Sequence, residues 1–264
     1  MAAVAAAGCG SDGGDRVDAS SFTVEGKFDV GGHELFIECR GSGSPTVVYL
    51  HGSVQTEDEG GRRNAEDIPS LLEDRYRFCA YDRANVGLSD SVGGPLTGED
   101  SARDLHALLR AADVPGPYVL LGGSLGGAIA DIYAASYPED VAGMVLLDSS
   151  LPAYLDMYKR LFPPGAGPQP GDWKREAEKL DKLTTFRQAG TFQQRRARIP
   201  ATYIGISAPA PPKVLAAIRD AQRAFVNRFS PGRLIVLDVP HYMEPVIPDR
   251  IAGEVERVIA AGRR

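Results

Sequence analysis

The residues of this chain best suited to chemistry are Gly122-Gly123-Ser124-Leu125-Gly126. They form a Gly-x-Ser-x-Gly turn between the apolar run Tyr118-Val119-Leu120-Leu121 and an Ala-rich stretch from Gly127 to Tyr137 that stops at Pro138. A strand, a sharp turn and a helix in that order push a serine hydroxyl out of the backbone as a nucleophile elbow. Glycines flank the serine because a Cβ there would meet the neighbouring strand or helix. The helix N-terminus behind it offers free N–H groups to a developing oxyanion. A serine hydroxyl is a weak nucleophile at neutral pH, so Ser124 needs a base, and that base needs an acid to orient it. The histidines are His33, His51, His106 and His241, and carboxylates at strand ends or turns are Asp82, Asp148 and Asp238.

The elements that must position these groups alternate along most of the chain. Phe22-Thr23-Val24-Glu25 and the run from Glu34 to Cys39 flank Gly31-Gly32 and predict a hairpin. Thr46 to Leu50, Tyr76 to Tyr81, Tyr118 to Leu121, Val141 to Leu147, Ala201 to Ile206 and Arg233 to Leu237 predict strands, most of them continuously apolar. Between them, Ser101 to Ala112 carries Leu105, Leu108 and Leu109 at helical spacing, with Asp100 placed to cap it. Pro212 to Phe229 and a terminal stretch to Ala261 predict further helices. Buried strands separated by helices imply a parallel sheet covered on both faces. After Asp148 the rhythm breaks: residues 152–198 hold the Pro/Gly stretch Pro163 to Gly171 and two charged helical patterns, Asp172 to Leu183 and Thr185 to Arg198. That profile predicts a helical cap, with residues 22–151 and 199–264 as one α/β core and residues 1–21 as a flexible leader.

Composition narrows the classes of function. A chain of 264 residues, 43% hydrophobic and 24% charged, can bury one large core, and no run is long enough to span a bilayer. The net charge of −6, with basic residues scattered, gives no reason to expect nucleic acid as a partner. Three distant cysteines and no paired metal-ligand spacing predict no metal site, and no Gly-rich fingerprint points to a phosphate or dinucleotide cofactor. At the start, Ala6-Ala7-Gly8-Cys9 resembles a bacterial lipobox. Lipidation at Cys9 would place the chain in the cell envelope and give it its one membrane contact. The other reading is a plain Ala/Gly-rich leader on a cytoplasmic protein.

Four stretches together resemble the α/β-hydrolase superfamily across residues 22–262: His51-Gly52-Ser53 after the third strand, Tyr81 to Ser89 after the fourth, the elbow at Ser124, and His241 after the last strand. The resemblance implies a mostly parallel eight-stranded sheet with a cap inserted after the sixth strand. It implies Ser124 as nucleophile, His241 as base, and the backbone N–H groups of Ser53 and Leu125 as the oxyanion hole. His51 would hold the His-Gly loop. Most relatives carry the acid after the seventh strand, but Gly205 to Pro211 has no carboxylate. A subset carries it after the sixth, which selects Asp148 here, with Asp238 and Asp82 as rivals. Gly123 departs from the histidine that commonly precedes the nucleophile, which should alter the pocket lining. The second and fourth strands are neighbours in this superfamily, so Cys39 and Cys79 could form a disulfide; the alternative is two buried thiols.

The function these residues imply is hydrolysis of a carboxylic ester or related acyl substrate through an acyl-enzyme. Carbon–carbon bond or lactone hydrolysis by the same triad, and a non-catalytic small-molecule binding protein on this fold, are the alternatives. A serine at the elbow argues against epoxide and haloalkane hydrolysis, which use an aspartate there. Substrate choice would rest on cap side chains among Tyr154, Met157, Phe162, Trp173, Phe186 and Phe192.

Overall fold

The computed structural model describes residues 22–56 and 60–263. The leader and Cys9 lie outside the described residues. Strands β1 (Phe22–Asp29) and β2 (Glu34–Arg40) form the expected hairpin. Asp29 Oδ1 accepts from the amides of Gly31 and Gly32, both at 2.9 Å, which holds the turn and keeps the Asp29 carboxyl below its usual range. The chain then runs through β3 (Thr46–Leu50), a 3-10 turn at Gly61–Ala65, α1 (Pro69–Leu72), β4 (Arg77–Tyr81), α2 (Gly98–Ala111), β5 (Tyr118–Gly123), α3 (Leu125–Ser136) and β6 (Val141–Leu147). After the insertion come β7 (Ala201–Ile206), α6 (Pro212–Val226), β8 (Gly232–Leu237) and α7 (Pro248–Gly262), with α4 (Tyr154–Leu161) and α5 (Lys182–Thr191) inside the insertion.

The eight strands form one sheet in the order β1-β2-β4-β3-β5-β6-β7-β8. The β1–β2 and β2–β4 pairs are antiparallel, and every later pair is parallel. This is the α/β-hydrolase fold that the sequence implied. Why the central strands are unbroken apolar runs follows from the pleat: Val48, Leu50 and Leu120 point to one face, Val47, Tyr49, Val119 and Leu121 to the other. The first face packs on α2 and α3 through Leu105, Leu108, Ile129 and Ile132. The second packs on α1 and α7 through Ile68, Leu72, Ile251, Val255 and Val258.

Several boundaries differ from the sequence reading, for local reasons. Helix α2 starts at Gly98, not Ser101, because Thr97 is its N-cap: Thr97 Oγ1 accepts from the Asp100 amide (3.3 Å) while Asp100 Oδ2 accepts from the Thr97 amide (3.0 Å). Asp100 thus closes the first turn from inside the helix, as the third member of a capping box. Helix α3 begins at Leu125, directly after the nucleophile candidate, rather than at Gly127. In the insertion, the charged stretch from Asp172 to Leu183 is not one helix. It gives a 3-10 turn at Asp172–Arg175, and Asp181 caps α5 by accepting from the Thr184 amide at 2.9 Å. Aspartate competes for backbone N–H groups and so favours caps over helix interiors.

Phe186 and Ala189 of α5 join the core cluster under α2 and α3, and Met157 of α4 is also buried, whereas Phe162 is exposed. Among the described residues no helix is long and apolar enough to cross a membrane.

Cys39 and Cys79 are cross-strand partners of β2 and β4, both fully buried, with Cα atoms 4.0 Å apart, and they are joined as a disulfide. The bridge closes a loop with a sequence separation of 40. Constraining the unfolded chain over that length is worth about 4 kcal/mol in the loop-entropy picture. Cys39→Ser is therefore expected to lower the unfolding free energy by about 4 kcal/mol, read from the urea midpoint. Intact-mass analysis of protein purified without reductant should show neither cysteine alkylated; modification of both before reduction would contradict the bridge.

Candidate active site

Parallel register brings the strand ends together before any side chain is considered. Gly123 pairs with Leu147 across β5 and β6, and Leu147 pairs with Ile204 across β6 and β7. Ser124 and Asp148 each stand one residue beyond those pairs, side by side at the C-terminal edge of the sheet. Both have left-handed backbones, φ 48° at Ser124 and 37° at Asp148, which a side-chain-bearing residue rarely adopts. Hydrogen bonds hold them there: the Ser124 amide donates to Leu147 O (2.9 Å), the Asp148 amide to Ile204 O (2.7 Å), and the Ser150 amide to Ser124 O (3.0 Å).

The glycines around Ser124 are there for close approach. A Cβ on Gly126 would lie 2.0 Å from Leu50 O, one on Gly122 would lie 2.7 Å from Gly127 Cα, and one on Gly127 would strike Ser149 Oγ at 1.9 Å. The turn is therefore built by backbone resting on backbone. Ser149 Oγ in turn donates to Gly122 O (3.0 Å), and Tyr203 Oη donates to Ser149 O (2.5 Å), so the floor of the turn is cross-braced from β7.

His241, four residues past the end of β8, bridges the two strained residues. Its Nε2 is 3.1 Å from Ser124 Oγ and its Nδ1 is 2.6 Å from Asp148 Oδ2. The hydrogen bond to Asp148 raises the imidazole pKa, against partial burial, which lowers it. Of the rival acids, Asp82 is buried and occupied by Arg62, with Nη1 at 2.6 Å from Oδ2, and Asp238 is exposed at the end of β8. The other histidines are engaged elsewhere. His33 pairs with Asp104 at 3.3 Å, and His106 stacks on Tyr137 with ring centroids 3.9 Å apart. His51 is fully buried, its Nδ1 2.7 Å from Gly52 O, and burial followed by the nearby Arg83 charge pushes its pKa well below normal.

Ser53 lies in the loop that passes over the nucleophile. A Cβ on its neighbour Gly52 would sit 3.2 Å from Ser124 Cβ and 3.9 Å from Ser124 Oγ. Leu125 opens α3, so its N–H is among those a helix leaves without an internal acceptor. Gly52, next to Ser53, and Leu125, next to Ser124 in the chain, thus both lie against the serine.

Three buried polar residues near this site went unread in the sequence. Glu244 sits behind the elbow, where Tyr49 Oη donates to its Oε1 at 2.8 Å and burial raises its pKa. Gly123 faces that carboxyl, not the substrate side: a Cβ there would lie 2.6 Å from Glu244 Oε1. The departure at Gly123 makes room for a buried acid, and it was the one available clue to Glu244. Arg83 and Glu178 form a second buried pair beside the His51 loop, Arg83 Nε donating to Glu178 Oε2 at 2.8 Å. Only the Tyr81 to Ser89 stretch hinted at Arg83; nothing marked Glu178.

Comparison with known proteins places the chain in a family by its fold and sequence. An uncharacterised Bacillus subtilis (strain 168) protein, YqjL, is 34% identical over 112 residues, covering 42% of each chain. The 2-hydroxy-6-oxo-6-(2'-aminophenyl)hexa-2,4-dienoic acid hydrolase of Metapseudomonas resinovorans is 30% identical over 132 residues, 50% of this chain and 44% of that one. These matches thus span less than half of either relative. A candidate epoxide hydrolase of Pseudomonas aeruginosa shares the fold with a TM-score of 0.70 over 93% of this chain and 97% of its own, at 15% identity. A family profile described as alpha/beta hydrolase fold matches residues 45–196, more than half of the sequence, and the chain belongs to that family.

Proposed function

We propose that this protein is a serine hydrolase that cleaves a carboxylic ester or related acyl substrate through an acyl-enzyme. The observation that carries the reading is the continuous hydrogen-bonded chain from Ser124 Oγ through His241 to Asp148. In this reading Ser124 Oγ attacks the acyl carbonyl as His241 Nε2 takes its proton. Asp148 keeps the proton on Nδ1, so that Nε2 is free to accept, and stabilises the imidazolium that forms. The Ser53 and Leu125 amides meet the negative charge on the tetrahedral oxygen. His241 returns its proton to the leaving group, then activates water to release the acid.

A second reading, carbon–carbon bond or lactone hydrolysis, uses the same residues and differs only in the pocket. It is supported by the Metapseudomonas relative, whose named substrate is an oxo-dienoic acid. A panel of esters of increasing acyl length, run beside lactones and a vinylogous 1,5-diketone, ranks the two by kcat/KM.

Ser124→Ala and His241→Ala are each expected to lower kcat by roughly 10⁴ to 10⁶ with the fold intact, because nucleophile and base act as a unit. Labelling of Ser124 by a fluorophosphonate, located by peptide mass, tests the nucleophile without knowledge of the substrate. Retention of a tenth of wild-type turnover by either variant contradicts the assignment, and an unlabelled protein points to the binding-module alternative. Asp148→Asn should cost about 10⁴ in kcat through the wrong imidazole tautomer, whereas Asp238→Asn should cost far less. A reversed ranking moves the acid to Asp238.

The pH profile gives an independent check. Only the neutral imidazole can accept a proton, and Asp148 raises the His241 pKa. The acid limb of kcat/KM should therefore have its midpoint above the ordinary imidazole value of about 6.5. In Asp148→Asn the residual activity should have its limb moved to lower pH, since the hydrogen bond to the imidazolium is lost. An unshifted limb would mean that Asp148 does not set the charge state of His241.

A further inference from the structure

We propose that Arg83 and Glu178 are positioning residues for the oxyanion hole: the buried pair fixes both peptide planes around Ser53 and thereby ties the seating of the inserted segment to transition-state stabilisation. The proposal rests on the reading of Ser53 N–H as an oxyanion donor. The pair is almost wholly enclosed, with side chains 4% and 5% exposed, and Arg83 Nη2 lies 2.7 Å from Glu178 Oε2. Its remaining hydrogen-bonding capacity goes to one short loop. Arg83 Nη1 donates to His51 O and Nη2 to Gly52 O, each at 2.7 Å, and Glu178 Oε1 accepts from the Val54 amide at 2.9 Å.

The geometry of the peptide bond turns these contacts into an orientation. Gly52 C=O and Ser53 N–H belong to one planar trans unit, so they point in opposite directions. Holding Gly52 O in the buried guanidinium aims the Ser53 N–H the other way, toward the nucleophile side of the loop. The next unit, Ser53 C=O with Val54 N–H, is held by Glu178. His51 adds a brace of the same sense: its Nδ1 is 2.7 Å from Gly52 O, and its Nε2 accepts from the Arg83 amide at 3.3 Å, the pattern of a neutral ring with its proton on Nδ1. A planar fork suits this task and an ammonium does not, because one guanidinium reaches two carbonyls and a carboxylate in fixed directions.

Glu178 belongs to the segment between β6 and β7, not to the sheet that carries Ser124. It is held in place by its own neighbours. Asn85 Nδ2 donates to Glu178 O (3.2 Å), the Leu96 amide donates to Lys179 O (2.9 Å), and the Asp181 amide donates to Leu96 O (2.8 Å). Lifting this part of the insertion would remove the acceptor from Val54 and leave Arg83 buried without its counter-charge. An oxyanion donor that loses its orientation costs rate, while substrate binding in the ground state is little affected.

The test is the full-length protein with Arg83→Lys, Glu178→Gln and the double substitution. Arg83→Lys keeps the charge but cannot span His51 O, Gly52 O and Glu178 together, and should lower kcat by about 10² or more, the range seen for losing one oxyanion donor. Glu178→Gln, which retains an acceptor for Val54, should lose roughly tenfold, and the double variant should lose no more than Arg83→Lys alone because the two act as one unit. KM should stay within about threefold, and affinity for a trifluoromethyl ketone should fall in proportion to kcat/KM, as it must if transition-state binding is what is lost. A merely structural role would lower Tm while leaving kcat per folded molecule and the ketone affinity intact, and that result overturns the proposal. Should the wild type neither turn over esters nor label with fluorophosphonate, the serine hydrolase reading fails separately. The hold of the pair on the loop is then decided by amide exchange at Val54, whose N–H donates to Glu178: loss of protection there in Glu178→Ala sustains it, and unchanged protection refutes it.

Discussion

The arrangement of this molecule depends on the register of β5, β6 and β7. Because Gly123 lies against Leu147 and Leu147 against Ile204, the serine and the aspartate leave the sheet at the same level, on neighbouring strands. A slip of one residue would send each to the opposite face of its strand. Register alone does not finish the placement, since both residues also need left-handed backbones, each costing on the order of 1–3 kcal/mol. The apolar core on both faces of the sheet supplies the rigidity that holds them, through amides that bond across to the next strand. The hydrophobic pattern of the strands is thus what makes the strained site sustainable.

Polar burial follows the same geography. The carboxyl-terminal ends of the central strands gather several of the enclosed charges: Asp82 with Arg62 after β4, Arg83 with Glu178 beside it, and Glu244 with Tyr49 of β3. The middle of the sheet, by contrast, is hydrocarbon on both faces. In both of these ionic pairs each group has its partner at short range, as burial of a charge demands. Glu244 is the exception in kind, because its partner is a neutral phenol and its pKa is raised by burial.

What the sequence disclosed was local or periodic. Gly122 to Gly127 carries the tight turn within six residues, and the unbroken apolar runs carry the sheet, so the fold and the position of Ser124 could both be read. Asp148 was suggested by the family resemblance, since the loop from Gly205 to Pro211 carries no carboxylate and a subset of that family places its acid after the sixth strand. The cross-strand disulfide was reachable from the adjacency of β2 and β4. Arg83, Glu178 and Glu244 were not legible, because their roles exist only through contacts 95 and 195 residues apart in the chain. The insertion misled for a different reason. Its charged residues look helical by spacing, but Asp181 spends its carboxylate on capping, which divides the stretch into a 3-10 turn and a separate α5.

The backbone-on-backbone packing at the elbow also divides the molecule into parts with unequal evolutionary freedom. At Gly122, Gly126 and Gly127 any side chain would displace main chain or the buried Ser149, so these positions admit almost no sequence drift. The insertion has more open positions on the exposed faces of its short helices and in its turns, although Met157, Phe186 and Ala189 are buried and the strip around Glu178 anchors it. Those exposed faces can therefore change while Ser124, His241 and Asp148 stay where they are. Substitutions would gather at the exposed positions of residues 152–175 and spare Met157 and the strip from 178 to 181.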